Sequence, residues 1–424
     1  MHPRRATSEA SAALALLLVA LVLGRPLVSQ GYLFPDSYAY MEWPADFVLA
    51  GGTRVMGARP IGYALFLDVF GTGAALVWAQ TVLSFASWSA LGWLAGRLPG
   101  VLVGCAIALA PPVWRWNASV LTESSSLSLV ALSLGVSLAW ARRAAAGAAT
   151  SWRTWAAWTA CALFLGWSRD ANLALLPALL LPAAYVRARE RIALVAVVLA
   201  VGVLGALDAR RNERADWSLE NAVLARVLPD PAALLEFEAA GMPVSGALRD
   251  AAGSPGRRTQ GRLREAAPEF DDWVRSSGAR VYWSWVLSRR SSGAEAWRAL
   301  DEYNGLDLVK YPPEQEIPRA VGAAQSVWAL GPPPWMALFL PLLLVPALRR
   351  ERRVRPELLG ALLAAATALV YSFLSYHADG VEAHRHMLPG IVLLRAAMWL
   401  GLAALFTLFQ ARTASDARAP EPRI

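Results

Sequence analysis

Apolar residues run along this chain in long, nearly unbroken stretches, and charges mark where each stretch stops. About 20 helical residues cross a bilayer core, so runs of this length predict membrane-spanning helices. Ten are placed, at 11–29, 73–95, 99–113, 119–141, 152–168, 171–186, 192–208, 326–348, 357–376 and 387–410. The third is short and stops at Pro111-Pro112, and Pro332-Pro333-Pro334 breaks the start of the eighth. Residues 62–70 predict a short interfacial helix. The expected fold is all-α, a polytopic transmembrane helical bundle of about ten spans. Its parts are an N-terminal membrane module (1–208) with a first outer loop (30–72), a mostly helical extracytoplasmic region (209–325), a C-terminal membrane module (326–410) and a cytoplasmic tail (411–424).

The long polar region carries its own helix signals. In "LPDPAALLEFEAAGMP", Asp230 reads as an N-cap, Pro231 as the first turn and Gly241 as the stop. "PEFDDWVRSSGARVYWSWVLSRR" predicts two more helices, whose Tyr282, Trp283 and Trp285 are expected to rest on the membrane surface. "AAGSPGRRTQGR" at 251–262 reads as a mobile loop.

Composition agrees with a membrane chain. Of 424 residues 56% are hydrophobic and 17% charged, and the mean hydropathy is +0.38. Nineteen tryptophans suit the lipid–water boundary. The net charge of +8 does not point to nucleic acid, because the arginines lie between apolar runs. Arg97, Arg142, Arg143, Arg187, Arg189, Arg191 and the 349–355 cluster all fall on one side if both termini are cytoplasmic. That sidedness predicts a multi-pass protein of the plasma (inner) membrane. Cys105 and Cys161 lie within apolar runs and read as small buried residues. The first run lacks a small-x-small cleavage site and reads as a retained span.

The same sidedness gathers the unusual polar residues outside. Asp36 in "FPDSYAYMEW" is either a helix N-cap or a carboxylate serving a cavity at the edge of the hydrocarbon. Glu123 in "SVLTESSSLSLVAL" either complements a helix dipole or joins Asp36, and the serines behind it suit close helix packing. Arg169 and Asp170 either pair locally or aim a cation at an anionic ligand. Arg59 either snorkels to lipid or joins them. "YHADGVEAHRHMLPG" holds His377, His384 and His386 with Asp379, Glu382 and Arg385. That set reads as a divalent-metal site, as an anion site built on Arg385, or as a plain polar loop. No Walker A loop, GxGxxG in strand context, CxxC pair or GxSxG is present, so nucleotide hydrolysis and soluble-cofactor chemistry have no support.

"FPDSYAYMEW", "ARPIGYALFLDVF", "SVLTESSSLSLVAL", "WSRDANLALLPALLL" and "HADGVEAHRHMLPGIVLL" follow one another in an order that resembles bacterial GT-C-type glycosyltransferases of the mannosyl- and arabinosyl-transferase kind. The resemblance covers mainly 1–190 and 370–400. It implies a polytopic enzyme that takes a sugar from a polyprenyl-phosphate carrier at the outer membrane face and passes it to a glycan, lipid or protein acceptor. It implies Asp36 as the catalytic acid residue of the first outer loop, and Glu123 as the acidic residue opening a later span. Many relatives carry two neighbouring acids in the first loop; here Ser37 follows Asp36. In an inverting transfer Asp36 is the expected base. Arg385, with Arg169 or Arg59, holds the phosphate. His384 protonates or stabilises the leaving group. Glu123 orients the acceptor or binds a divalent ion. Tyr38 and His386 complete the substrate-binding candidates, and Asp36, Glu123 and His384 are the candidate metal ligands. A polymerase or ligase acting on lipid-pyrophosphate glycans is the nearest rival. A transporter or flippase is the non-enzymatic one, against which the clustering of polar residues at one face counts.

Overall fold

A computed structural model describes residues 3–28, 30–41, 60–305, 318–329, 355–378, 380 and 382–416. Among them there is no strand, only isolated bridges pairing Gln30 with Gly73 and Tyr32 with Ser119. The membrane-like helices are α1 (Pro3–Leu23), α2 (Pro35–Met41), α3 (Ile61–Phe70), α4 (Ala74–Leu109), α5 (Thr122–Ala145), α6 (Trp152–Ser168) and α7 (Ala188–Arg211). The region after them adds α8 (Arg214–Ala222), α9 (Pro231–Ala239), α10 (Gly246–Asp250), α11 (Arg257–Ala266), α12 (Pro268–Trp273), α13 (Ala279–Ser288), α14 (Arg290–Gly305) and α15 (Arg319–Ala329). The chain closes with α16 (Pro356–Ala378) and α17 (Ala383–Asp416).

Five stretches among the described residues are long and apolar enough to cross a membrane: α4, α5, α7, α16 and the 383–403 part of α17. Large apolar side chains on α7 stay on the outside, with Ile192 70% and Leu199 60% exposed. In water that surface would be an aggregation hazard; against lipid it is the ordinary outer face. The chain is a multi-pass membrane protein. The expected eighth span lies outside the described residues from 330 onward.

The second and third sequence-predicted spans form one hairpin within α4. Backbone angles leave the helical region at Gly96 and Arg97, where Arg97 takes φ 56°. The two arms then run back along each other so closely that a β-carbon on Gly92 would strike the carbonyl of Gly100, and one on Gly104 that of Trp88. Ser89 Oγ and Cys105 Sγ meet at 3.3 Å in the same register. Glycine allows this approach, and van der Waals packing between the backbones follows from it.

The sixth predicted span, Asp170–Ala184, winds as a 3-10 helix. Pro177 and Pro182 cannot donate backbone hydrogen bonds, which weakens α-helical winding there. At a rise of about 2.0 Å per residue its 15 residues reach about 30 Å, the thickness of a bilayer core, where an α-helix would stop near 22 Å. Serines of α5 line the contact with this segment. Asn172 Nδ2 donates to Ser126 Oγ at 2.9 Å and to Ser168 Oγ at 3.0 Å, and Trp158 Nε1 donates to Leu179 O at 3.0 Å.

The described helices of the 209–325 region enclose a second apolar core, centred on Phe237, Trp273, Tyr282 and Trp285. Tyr282 and Trp285 are therefore buried in that core and do not lie on the membrane, because their helix packs edge-on against Phe237. The Asp230 cap stands as read: its Oδ1 accepts from Ala232 N and Ala233 N, and Gly241 takes φ 89°. The expected mobile loop is helical from Arg257, since buried Gln260 donates to Trp217 O and Asn221 Oδ1.

Candidate functional site

The segment between α1 and α2 reaches the start of α5 through its backbone. Tyr32 N donates to Ala118 O at 2.7 Å and Val120 N to Tyr32 O at 3.0 Å, while Gly31 N donates to Thr72 O at 2.9 Å. Ser37 ties the N-terminus of α2 to the start of α5. Its Oγ accepts from Phe34 N at 2.9 Å and donates to Val120 O at 2.7 Å. Asp36 lies in the first turn of α2, and its side chain reaches Arg385 at the start of α17.

Arg385, in the first turn of α17, is the centre of the site. Its Nε donates to Glu123 Oε1 at 2.6 Å, its Nη1 to Glu382 Oε2 at 2.5 Å, and its Nη2 lies 3.5 Å from Asp36 Oδ2. The Trp116 ring is 5.9 Å from the guanidinium carbon. Arg169 Nη1 reaches the same Glu123 oxygen at 3.2 Å. Glu123 is wholly buried, whereas the Asp36 side chain keeps 25% of its surface open. Residues 36, 123, 169 and 385 thus meet in one cluster. Two arginines share one fixed carboxylate, and a more accessible carboxylate stands beside them.

The local Arg169–Asp170 pair, one of the two readings of that turn, does not form. The chain turns sharply between them, and Asp170 is held by Arg214 instead, at 2.8 Å (Nε–Oδ2) and 3.0 Å (Nη2–Oδ1). Arg214 also binds Asp208. Burial works against the Arg214 charge, but hydrogen bonds and attraction from Asp170 and Asp208 outweigh it and raise its pKa. Nearby Asp216 is raised above the usual carboxylate range, by burial first and then by Glu213.

A cleft of about 350 Å³ joins these groups. Tyr40, Thr122, Arg169, Arg385 and His386 form the side at the membrane helices, and Arg214, Asp216 and Trp283 form the side at the 209–325 helices. The 209–325 helices are fixed over it by Tyr282 Oη donating to His377 O at 2.7 Å and by Arg226 Nη2 donating to Tyr376 O at 2.6 Å. His377 is buried and structural, its Nε2 3.1 Å from Ser292 O.

The other candidates fall differently. His384 does not line the cleft; its ring stands edge-on to Tyr303 at 6.0 Å, because one helical step from Arg385 turns it about 100° away. Tyr38 is half-exposed and does not line the cleft. Tyr40, four residues beyond Asp36 on the same face of α2, lines it instead; helical spacing held that signal. Arg214, 44 residues from Asp170, had no local signal. Arg59 and Asp379 lie outside the described residues. Asp36, Glu123 and His384 do not form one ligand set. Among the described residues no group of three or more His, Cys, Asp or Glu could hold a metal ion.

No protein-family model matches the chain, and no curated protein matches it. Among solved structures it is similar to the archaeal oligosaccharyltransferase AglB from Archaeoglobus fulgidus, solved with an inhibitory peptide and a dolichol-phosphate, at TM-score 0.46 and 13% identity. It is also similar to ArnT from Cupriavidus metallidurans bound to undecaprenyl phosphate, at TM-score 0.29 and 15% identity. Each likeness covers 99% of this chain, with 53% of AglB and 82% of ArnT. The chain thus spans about half the length of the first, and the chemistry of its site has to be read from its own geometry.

Proposed function

We propose that this protein is an integral membrane glycosyltransferase that moves a sugar from a polyprenyl-phosphate donor to an acceptor on the extracytoplasmic face, with inversion. One observation carries the reading. Four charged residues, drawn from the first loop, the start of α5, the turn after α6 and the start of α17, meet in one cluster where membrane helices end, and two of them, Arg169 and Arg385, line the cleft. A water-soluble substrate does not require such a place. A lipid-borne donor does: its isoprenoid tail stays in lipid while its phosphate reaches Arg385.

The acceptor hydroxyl attacks the anomeric carbon, and the bond from that carbon to the phosphate oxygen breaks. Asp36 takes the hydroxyl proton. Charge gathering on the departing polyprenyl phosphate is met by Arg385 and Arg169, whose positions Glu123 fixes beforehand. The 3.5 Å contact between Asp36 and Arg385 is the weakest in the cluster. A phosphate arriving at Nη2 competes with Asp36 for that guanidinium and so favours proton uptake by the carboxylate. His386, on the cleft wall, is better placed than His384 to reach the leaving group. The arginine distribution along the sequence orients this end outward, with ten spans and both termini cytoplasmic.

The test uses purified protein in liposomes with a panel of labelled polyprenyl-phosphate sugars and cell-envelope extract as the acceptor source. Release of polyprenyl phosphate and transfer of label are both followed. Asp36→Asn should lower transfer by about 10²–10⁴-fold, and Tyr38→Phe should leave it unchanged. Full transfer by the Asp36 variant removes the proposed base.

A further inference from the structure

A second charged cavity lies at the far end of α5. Arg143 is 20 residues beyond Glu123 on that helix, about 30 Å away at 1.5 Å per residue. Here α5 ends and α6 begins, and between them opens a cavity of about 640 Å³ lined by Val136, Trp140, Arg143, Trp152, Arg153 and Ala157, among others. Its floor is rigid: Trp140 is buried, packed edge-on to Trp155 at 4.8 Å and to Trp158 at 5.9 Å, and its Nε1 donates to Thr150 Oγ1 at 3.2 Å. Its rim is open, with Trp152 75% exposed and the Arg153 guanidinium 5.7 Å from the centre of that ring.

The charge of this cavity is uncompensated. Arg142, one residue earlier, is bound to Glu357. Arg143 and Arg153 have no carboxylate partner among the described residues, and no acid lines the cavity. Two cations at the lipid boundary, above an apolar wall of valine, alanine and indole, suit a ligand with an anionic head and an apolar body. We infer that this cavity is a binding site for an anionic phospholipid, with the headgroup phosphate between Arg143 and Arg153 and an acyl chain along Val136 and Ala157. Trp152 forms the outer rim, as interfacial tryptophans do. The site is independent of the cleft and of the reaction proposed for it.

The full-length protein is reconstituted in nanodiscs of phosphatidylcholine, with or without a minor fraction of phosphatidylglycerol, and retained lipid is read by native mass spectrometry. Wild-type protein should hold phosphatidylglycerol in preference to phosphatidylcholine. Arg143→Gln with Arg153→Gln should lose at least about tenfold of that preference, two charge-assisted contacts being removed. Arg153→Gln alone, at an exposed position, should lose part of it and serves if the double variant does not fold. Arg258→Gln with Arg262→Gln, an equal charge change on the 209–325 helices, should lose none. Inorganic phosphate should not displace the lipid. Retention of the preference by the cavity variants, equal loss in the control pair, or displacement by free phosphate would each overturn the assignment.

Discussion

Replacing Glu123 by alanine is the sharpest probe of the cluster. Its Oε1 faces Arg385 Nε at 2.6 Å and Arg169 Nη1 at 3.2 Å, with no solvent contact. A pair of unit charges about 4 Å apart gains about 4 kcal/mol at an effective permittivity of about 20, so two pairs amount to about 8 kcal/mol gross. Desolvation of the carboxylate offsets part of this. Removing one partner of a buried ion pair, which leaves the other charge uncompensated, costs about 3–5 kcal/mol. Glu123→Ala should therefore lose about 3–5 kcal/mol of unfolding free energy in mixed micelles, followed by denaturing-detergent titration. Glu123→Gln keeps an acceptor and should lose less. In an Arg385→Gln background the glutamine substitution should cost about 1–3 kcal/mol less than in the wild type, because the residues act as one network. An alanine variant within about 1 kcal/mol of wild type, or strictly additive single costs, would mean that Glu123 does not hold the arginines.

The hairpin and the 209–325 helices give two further expectations. Gly92→Leu or Gly100→Leu should drive the arms of α4 apart and cost about 3 kcal/mol or more, while Gly96→Ala, with its nearest neighbour 4.0 Å away, should be nearly neutral; folded yield and thermal unfolding read the difference. Glu220 is buried on α8, and burial, opposed by Arg264 and Arg275 and aided by Asp271 and Asp216, lifts its carboxyl from 4.5 to about 7. Between those values the folded chain holds a proton that the unfolded chain has lost. Stability should therefore fall as pH rises from about 4.5 to 7, by about 3 kcal/mol in all, and Glu220→Gln should flatten the profile.

Local patterns wrote much of this fold. Hydrophobic length and terminal charge are properties of consecutive residues, so the apolar helices, the break near Arg97 and the Asp230 cap were all legible in sequence. Residue type and order marked Asp36, Glu123, Arg169 and Arg385 as candidates. Local pattern failed where a partner from elsewhere intervened: Gln260 draws an expected loop into a helix, and the Phe237 core draws in aromatics expected at the membrane.

What the sequence determined by itself was that the chain enters the bilayer, and which polar residues are costly enough there to need a reason. Only the tertiary structure decided the pairing. It gave Asp170 to Arg214 and left Arg169 for Glu123, and it chose Tyr40 over Tyr38 and His386 over His384 for the cleft. The physical reason is that a charge's partner depends on distance in space, and here helix rotation and loop docking set those distances between residues as far apart in the chain as 36 and 385.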